Sequence, residues 1–74
     1  MLTLIQRDDC ALCDEAWEVL HQAGVNDFES VFIDGDKLLE QRFGQFVPVL
    51  CLQENEMHWP FTVEQVKLWL QTLQ

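Results

Sequence analysis

The chain is poor in cations, cysteine, glycine and proline, and it has no tyrosine. Its 74 residues include 4 Lys and Arg against 13 Asp and Glu, which gives a formal net charge of −9 at pH 7. Phosphate groups are bound by clustered Lys and Arg, and the basic residues here, Arg7, Lys37, Arg42 and Lys67, do not cluster. We therefore expect neither nucleic acid nor an anionic membrane surface as a partner, and a basic protein partner suits the charge better.

Cysteine is also too scarce for a secreted scaffold. Three cysteines are few, and odd in number, for the disulfide framework of a small secreted protein. The first residues lack the basic start and long apolar stretch of a signal peptide, and no segment approaches the ~20 apolar residues that a membrane span needs. We therefore expect a cytoplasmic protein, in which a cysteine pair is more often redox-active or metal-binding than structural.

The chain is rich in apolar residues, and turn-forming residues occur at regular intervals along it. Hydrophobic residues make up 49% of it, which predicts a single compact domain over residues 1–74, and we expect this domain to be a monomer. Turn signals separate segments with strand and helix patterns. Strands are predicted over residues 2–5, 28–33, 47–52 and 56–59. Helices are predicted over the apolar pattern from Leu12 to Ala23, over residues 37–43, and from Thr62 to the C-terminus.

The order of these segments, strand–helix–strand–helix–strand–strand–helix, indicates an α/β fold. The first strand–helix–strand unit predicts two parallel strands joined by a right-handed crossover, and the hairpin turn at Glu54-Asn55 predicts antiparallel pairing. A run without alternation over residues 31–33 is typical of a strand covered on both faces. The last helix opens with a capping-box pattern, Thr62 and Gln65. The sequence therefore predicts a four-stranded mixed sheet with three helices on its two faces.

Cys10 and Cys13 form a Cys-x-x-Cys pair between the first predicted strand and the first helix. The spacing alone is weak evidence, because the same pattern also binds metals. The position is more informative: a thiol at a helix N-terminus faces unpaired backbone N–H groups and the positive end of the helix dipole, and both stabilise a thiolate. We predict that Cys10 is a nucleophile and that Cys13, one turn further on, resolves the mixed disulfide.

Acidic residues flank the pair. Asp8 and Asp9 precede Cys10, Asp14 and Glu15 follow Cys13, and Arg7 is the only cation nearby in the sequence. Carboxylates oppose a neighbouring thiolate, so this arrangement works against the helix dipole.

No metal site is predicted. Tetrahedral zinc would need two further ligands from Cys51, His21 or His58, and none of these shows paired-ligand spacing. Cys51 lies in the third predicted strand among apolar residues, which predicts a buried, inert thiol. His21 is expected on the surface near the end of the first helix, and His58 on the hairpin facing solvent.

Two motifs resemble a known family. Residues 10–16, CALCDEA, are similar to the Cys-x-Leu-Cys-Asp-Glu-Ala signature of the small glutaredoxin-like proteins of the thioredoxin superfamily. Residues 47–50, VPVL, resemble the Ile/Val-Pro-Val-Leu segment of that superfamily, in which the proline is cis and faces the cysteine pair. The motifs stand in the order that the superfamily shows, and the resemblance covers essentially the whole chain.

The resemblance implies a thioredoxin-like fold and a thiol–disulfide oxidoreductase with a Cys10/Cys13 dithiol. It implies a cis Val47–Pro48 bond that presents the Val47 backbone to an extended substrate, either a protein disulfide or a low-molecular-weight thiol. Arg7, three residues before Cys10, matches a basic residue of the family and is predicted to bind substrate. No cofactor is expected.

Glutathione enters as a co-substrate through the same resemblance. Well-studied glutaredoxins have Pro-Tyr between the cysteines, and a Gly-Gly pair and an Asp beyond the hairpin that help to hold glutathione. This chain has Ala11-Leu12 in the first place and MHWPFT over residues 57–62 in the second. Two alternatives therefore stay open, a non-catalytic thioredoxin-fold module that docks proteins along the Val47–Pro48 edge, and a redox sensor.

Overall fold

The elements follow one another in the predicted order, β-α-β-α-β-β-α. The computed structural model describes residues 1–73. Its strands are β1 (Thr3–Gln6), β2 (Glu29–Phe32), β3 (Val49–Leu52) and β4 (Asn55–His58), and its helices are α1 (Ala11–Gln22), α2 (Lys37–Phe43) and α3 (Val63–Leu73). None of the helices over residues 1–73 combines the length and the apolar character needed to cross a membrane.

The four strands form one mixed sheet in the order β2-β1-β3-β4. β1 runs parallel to β2 and antiparallel to β3, and β3 pairs antiparallel with β4. Both the parallel crossover and the antiparallel hairpin are those predicted from the sequence.

Alternate residues of the central strands supply two separate cores. Leu4 and Leu50 face α1 and α3. They pack with apolar residues of these helices, of the segment before α3 and of the position before β1, namely Ala16, Leu20, Val66, Phe61 and Leu2. Ile5 and Val49 face the other way and pack with Ile33 and with Phe43 of α2. Because side chains alternate across a strand, β1 and β3 are apolar on both faces, as a sheet between two layers of helix requires.

The strand register collects the functional candidates at one end of the sheet. Ile5 of β1 lies opposite Val49 of β3, and Val49 lies opposite His58 of β4. Gln6, the last residue of β1, lies beside Phe32, the last residue of β2. The segments 7–10, 33–36, 47–48 and 59–62 therefore leave the sheet at the same end, which brings the cysteine pair and Pro48 to neighbouring loops.

Three sequence-based expectations need correction. Leu12 is 46% exposed, because the buried face of α1 is set by Cys13, Ala16 and Leu20, and Leu12 is rotated from Cys13 by ~100°. Phe32 is 47% exposed, because β2 is an edge strand. The hairpin turn lies at Gln53-Glu54, one residue earlier than predicted, with Gln53 in the left-handed region at φ 57°.

The capping box predicted at the start of α3 is confirmed. The Thr62 Oγ1 atom accepts a hydrogen bond from the Gln65 N–H (3.1 Å), and the Gln65 side-chain oxygen accepts one from the Thr62 N–H (2.8 Å). Phe61 and Val66, which flank this cap, are both buried in the same cluster, as in a hydrophobic staple. The cap therefore fixes the direction in which the chain enters α3.

Replacing Thr62 by Ala should lower the free energy of unfolding by about 1 kcal/mol, because the Gln65 N–H loses its acceptor. The matched control is Thr72→Ala at the other end of α3, where the hydroxyl donates to the Leu68 carbonyl oxygen (2.9 Å) and caps nothing. Urea unfolding at pH 7 measures both variants. Equal losses of stability would show that the cap has no special role.

Candidate active site

The first turn of α1 is built around Cys10. Cys10 is the N-cap residue, with an extended backbone (φ −125°, ψ 108°), and its Sγ atom accepts a hydrogen bond from the Cys13 N–H at 3.1 Å. Its carbonyl oxygen accepts from the Asp14 N–H at 3.1 Å. Asp9, just before it, has φ 54°, a left-handed conformation that Asp and Asn tolerate better than most residues. The tight turn therefore places the sulfur of Cys10 directly over the helix N-terminus.

The two predicted cysteines are joined, but they differ in accessibility. Cys10 and Cys13 form a disulfide, with their Cα atoms 5.2 Å apart. Cys10 is partly exposed, whereas Cys13 is 1% exposed on the inner face of α1. An incoming disulfide can therefore reach the sulfur of Cys10 first, while Cys13 is confined to reaction with its neighbour.

The Val47–Pro48 segment lies at the same end of the sheet. Its peptide bond is cis, as is the Trp59–Pro60 bond on the neighbouring strand end. The Val47 N–H donates to the Phe43 carbonyl oxygen (3.0 Å), and the Pro48 carbonyl oxygen accepts from the Trp59 N–H (3.2 Å). Within residues 1–73 the Val47 carbonyl oxygen accepts no backbone hydrogen bond, so it is the backbone group of this segment that an extended chain can meet.

Arg7 is engaged with α2. Its guanidinium Nη2 lies 2.6 Å from Glu40 Oε1 and donates to the Gly44 carbonyl oxygen at 3.2 Å. Gly44 ends α2, where a cation is favoured by the helix dipole. The role in substrate binding predicted for Arg7 stays a prediction, and the structure adds that this guanidinium already has two internal acceptors.

Gln6 is a buried polar residue that lies one position beyond the first predicted strand, residues 2–5, and that the sequence analysis did not single out. It is 3% exposed at the end of β1, and its Oε1 atom accepts a hydrogen bond from the Trp17 indole N–H (3.1 Å). Its Nε2 atom is buried and has no hydrogen-bond partner among residues 1–73. Trp17 in turn packs edge-on against Phe28, with ring centroids 4.9 Å apart. The hydrogen bond between Trp17 and Gln6 therefore joins α1, which has Cys10 at its N-terminus, to β1, the strand that leads into the site.

A second set of polar contacts is centred on Glu56 of β4. Glu56 of β4 pairs with Arg42 Nη2 (2.5 Å) and with His58 Nε2 (3.1 Å), and the His58 ring contacts Phe46 at 5.3 Å between centroids. Hydrogen bonding to His58, and then to Arg42, lowers the pKa of Glu56. These contacts tie β4 to α2 and to the residue that precedes the Val47–Pro48 segment.

Cys51 and His21 lie apart from the cysteine pair. Cys51 is a free thiol in β3, opposite Glu56, and it is partly exposed rather than fully buried as predicted. Burial, and secondarily the Glu56 carboxylate, raises the pKa of this thiol, so its thiolate is scarce at neutral pH. His21 is exposed in the last turn of α1. In residues 1–73, no three His, Cys, Asp or Glu side chains are grouped as metal ligands.

We expect Trp17→Phe to destabilise the protein by about 1–3 kcal/mol, because it leaves both polar atoms of the buried Gln6 amide without a partner. Gln6→Leu removes that amide and should cost less. In the Gln6→Leu background, Trp17→Phe should therefore lose most of its effect. A double-mutant cycle by urea unfolding measures this coupling, and an equal Trp17→Phe effect in both backgrounds would contradict it.

The contribution of Glu56 to stability should depend on pH. Its pKa is lower in the folded state than the ~4.3 of a free Glu, so its contribution is present above that value and is lost as pH falls through the lowered pKa. The stability difference between the wild type and Glu56→Gln should therefore shrink as the pH is lowered from 7 through the acidic range. Glu54→Gln in the adjacent turn is the control. Thermal unfolding across this pH range measures the stability of each variant. A stability difference between the wild type and Glu56→Gln that does not change with pH would contradict the interpretation.

Comparison with known proteins agrees with this geometry. Residues 1–71 match the family model of the glutaredoxin-like domain (DUF836). The X-ray structure of Northeast Structural Genomics target protein XcR50 from X. campestris has a TM-score of 0.92 to this chain at 49% sequence identity, covering 97% of each chain. The solution structure of that target has a TM-score of 0.90 at 50% identity, covering 96% of this chain and 92% of the other. No curated protein matches the chain.

The predicted thioredoxin-like fold and the predicted family are thereby confirmed. The position of the Cys10–Cys13 pair fits a redox role in this frame. The chain belongs to the glutaredoxin-like domain (DUF836) family.

Proposed function

We propose that the protein is a thiol–disulfide oxidoreductase in which Cys10 is the nucleophile and Cys13 the resolving thiol. The observation that carries the proposal is the unequal environment of the two sulfurs. Cys10 is partly exposed at the N-cap and accepts the Cys13 N–H, whereas Cys13 is buried against the core side of α1. The nucleophile of such a reaction has to be accessible to a substrate, whereas the resolving thiol has to reach only the nucleophile. The difference in exposure between Cys10 and Cys13 matches these two requirements.

In the first step, the Cys10 thiolate attacks one sulfur of a substrate disulfide. A bond forms between Cys10 Sγ and that sulfur, the substrate disulfide bond breaks, and the second substrate sulfur leaves as a thiolate that takes a proton from water. The Cys13 N–H, 3.1 Å from the attacking sulfur, donates a hydrogen bond that is stronger to the anion than to the thiol. The N-terminus of α1 adds about 0.3–1 kcal/mol in favour of the anion.

In the second step, the Cys13 thiol loses its proton and attacks Cys10 Sγ. The Cys10–Cys13 bond forms, the mixed disulfide breaks, and the remaining substrate thiol is released, so the protein is oxidised by two electrons and the substrate is reduced by two. The 5.2 Å between the Cα atoms lies within the range of an ordinary disulfide. An external dithiol or thiol then returns the pair to its reduced state.

The substrate would lie along the Val47–Pro48 segment. The free carbonyl oxygen of Val47 can accept a hydrogen bond from an N–H of an extended chain. Pro48 is buried, and its carbonyl oxygen already accepts a hydrogen bond from the Trp59 N–H. A protein chain that carries a disulfide can make more contacts along this segment than a small thiol can. We further propose that the protein acts as a cytoplasmic monomer without a resident cofactor, with glutathione as the alternative small co-substrate.

The proposal is tested by single-turnover oxidation of the reduced protein with bis(2-hydroxyethyl) disulfide, which has no charge. The wild type should release two equivalents of 2-mercaptoethanol and end with an intramolecular disulfide. Cys13→Ser should release one equivalent and retain the adduct on Cys10, as seen by mass spectrometry. Cys10→Ser should lose the fast reaction, because the remaining thiols are buried or have little thiolate.

Cys51→Ser is the matched control and should behave like the wild type. Fast reaction of Cys10→Ser, or an adduct on Cys51 instead of Cys10, would contradict the assignment. If the Cys10–Cys13 disulfide forms with a chemical oxidant but no substrate disulfide is reduced, a redox sensor is favoured. If the disulfide does not form at all, a non-catalytic binding module is favoured.

A further inference from the structure

Exposed carboxylates dominate the end of the sheet at which Cys10 lies. They come from the loop before α1, the first turn of α1, the turn after β2 and the first turn of α3. Together they form the acidic rim, which comprises Asp8, Asp9, Asp14, Glu15, Asp34, Asp36 and Glu64. The two loops of the rim touch, because the Asp8 N–H donates to Asp34 Oδ1 at 2.9 Å. The loops that carry Asp8 and Asp34 are therefore in direct contact, and the strand directions place all four segments of the rim at the end of the sheet where Cys10 lies.

The cations of the chain do little to offset this rim. Arg7 is bound to Glu40 and to the Gly44 carbonyl oxygen, and Arg42 is bound to Glu56 on the hairpin. Lys37 is exposed at the first residue of α2, directly after Asp36, and Lys67 lies in the second turn of α3. Among residues 1–73, both guanidinium groups are therefore already paired with carboxylates of the chain, and neither is free to bind the carboxylate of a substrate.

The rim acts on a different length scale from the groups that stabilise the Cys10 thiolate. The Cys13 N–H contacts the sulfur directly, so its effect is local. Exposed carboxylates act on charged molecules in solution over a Debye length, about 10 Å at 0.1 M ionic strength, and such fields change association rates by about 10- to 1,000-fold. The rim is therefore placed to sort approaching disulfides by their charge.

Resting on the proposed function, we infer that the acidic rim selects positively charged disulfides, such as those flanked by Lys and Arg in basic proteins, over anionic ones. Glutathione disulfide, which carries net negative charge, falls in the disfavoured class. The reaction is the one given above, in which the substrate disulfide is reduced to two thiols and the Cys10–Cys13 dithiol is oxidised. Selection arises in the encounter and not in the bond exchange.

The experiment compares three small disulfides of similar size in single turnover with the reduced protein. Cystamine carries two ammonium groups, bis(2-hydroxyethyl) disulfide is neutral, and dithiodipropionate carries two carboxylates. Each rate constant is divided by that of uncharged dithiothreitol with the same disulfide, which removes differences in leaving-group reactivity. The normalised rate for cystamine should exceed that for dithiodipropionate about tenfold or more at low ionic strength, and the ratio should fall to about twofold in 0.5 M salt.

A pair of double variants separates the rim from the total charge. Asp9→Asn/Glu15→Gln removes two charges from the rim, and Asn is tolerated at the left-handed backbone of residue 9. Asp27→Asn/Glu54→Gln removes one Asp and one Glu charge from exposed positions at the other end of the sheet. The rim variant should lose about threefold of the cystamine preference, and the control variant should keep nearly all of it.

The outcomes distinguish this inference from the function on which it rests. Oxidation of the protein by the neutral disulfide with equal normalised rates for all three substrates overturns the inference and leaves the oxidoreductase intact. An equal loss of preference in both double variants also overturns it, because net charge and not the rim would then be responsible. Failure to react with any of the three disulfides overturns the proposed function, and the inference with it.

Discussion

The hydrogen bond from the Cys13 N–H to the sulfur of Cys10 is the interaction on which the site depends. N-cap positions are usually held by Ser, Thr, Asp or Asn, whose oxygen atoms accept well from the first helical N–H groups. Cys10 takes this position with sulfur, a weaker acceptor, and so gives α1 a poorer cap. The same geometry aims a backbone donor and a helix N-terminus at the sulfur atom that becomes an anion in the proposed reaction. Reduced helix stability and thiolate stabilisation are therefore two consequences of a single residue choice.

The location of that cap follows from the central strand. β1 is apolar on both faces, with Leu4 in the core beneath α1 and α3 and Ile5 in the core beneath α2. Burial on both sides leaves little freedom for its register, since a shift by one residue would exchange the two faces. The registers with β2 and β3 then decide which loops emerge beside Cys10, namely those with Asp34 and with Pro48. The chemistry at the end of the sheet is thus placed by apolar contacts in its middle.

Local patterns were enough to predict the element order, the bounds of α2, the capping box of α3 and the two cysteines of the site. These features depend on residues within one or two turns of one another, such as Thr62 and Gln65. Contacts across the chain were beyond such reasoning. Nothing in the neighbourhood of Arg7 points to Glu40, which is 33 positions away, and the polar run that begins at Gln6 hides a buried amide that pairs with Trp17. Charge and polarity predict that a side chain is exposed, and this prediction fails where a distant part of the chain supplies a specific partner for that side chain.

The acidic surroundings and the thiolate site are less opposed than the sequence suggests, because both answer to the same helix N-terminus. Asp14 lies in the first turn of α1, where a carboxylate stabilises the helix by about 0.3–1 kcal/mol, and this helps to offset the weak sulfur cap. Its charge sits in solvent, where two charges at 4 Å interact by only about 1 kcal/mol, whereas the Cys13 N–H reaches the sulfur directly. In the proposed reaction, the Cys13 N–H therefore acts directly on the Cys10 sulfur, and the exposed carboxylates act mainly on the charged molecules that approach it.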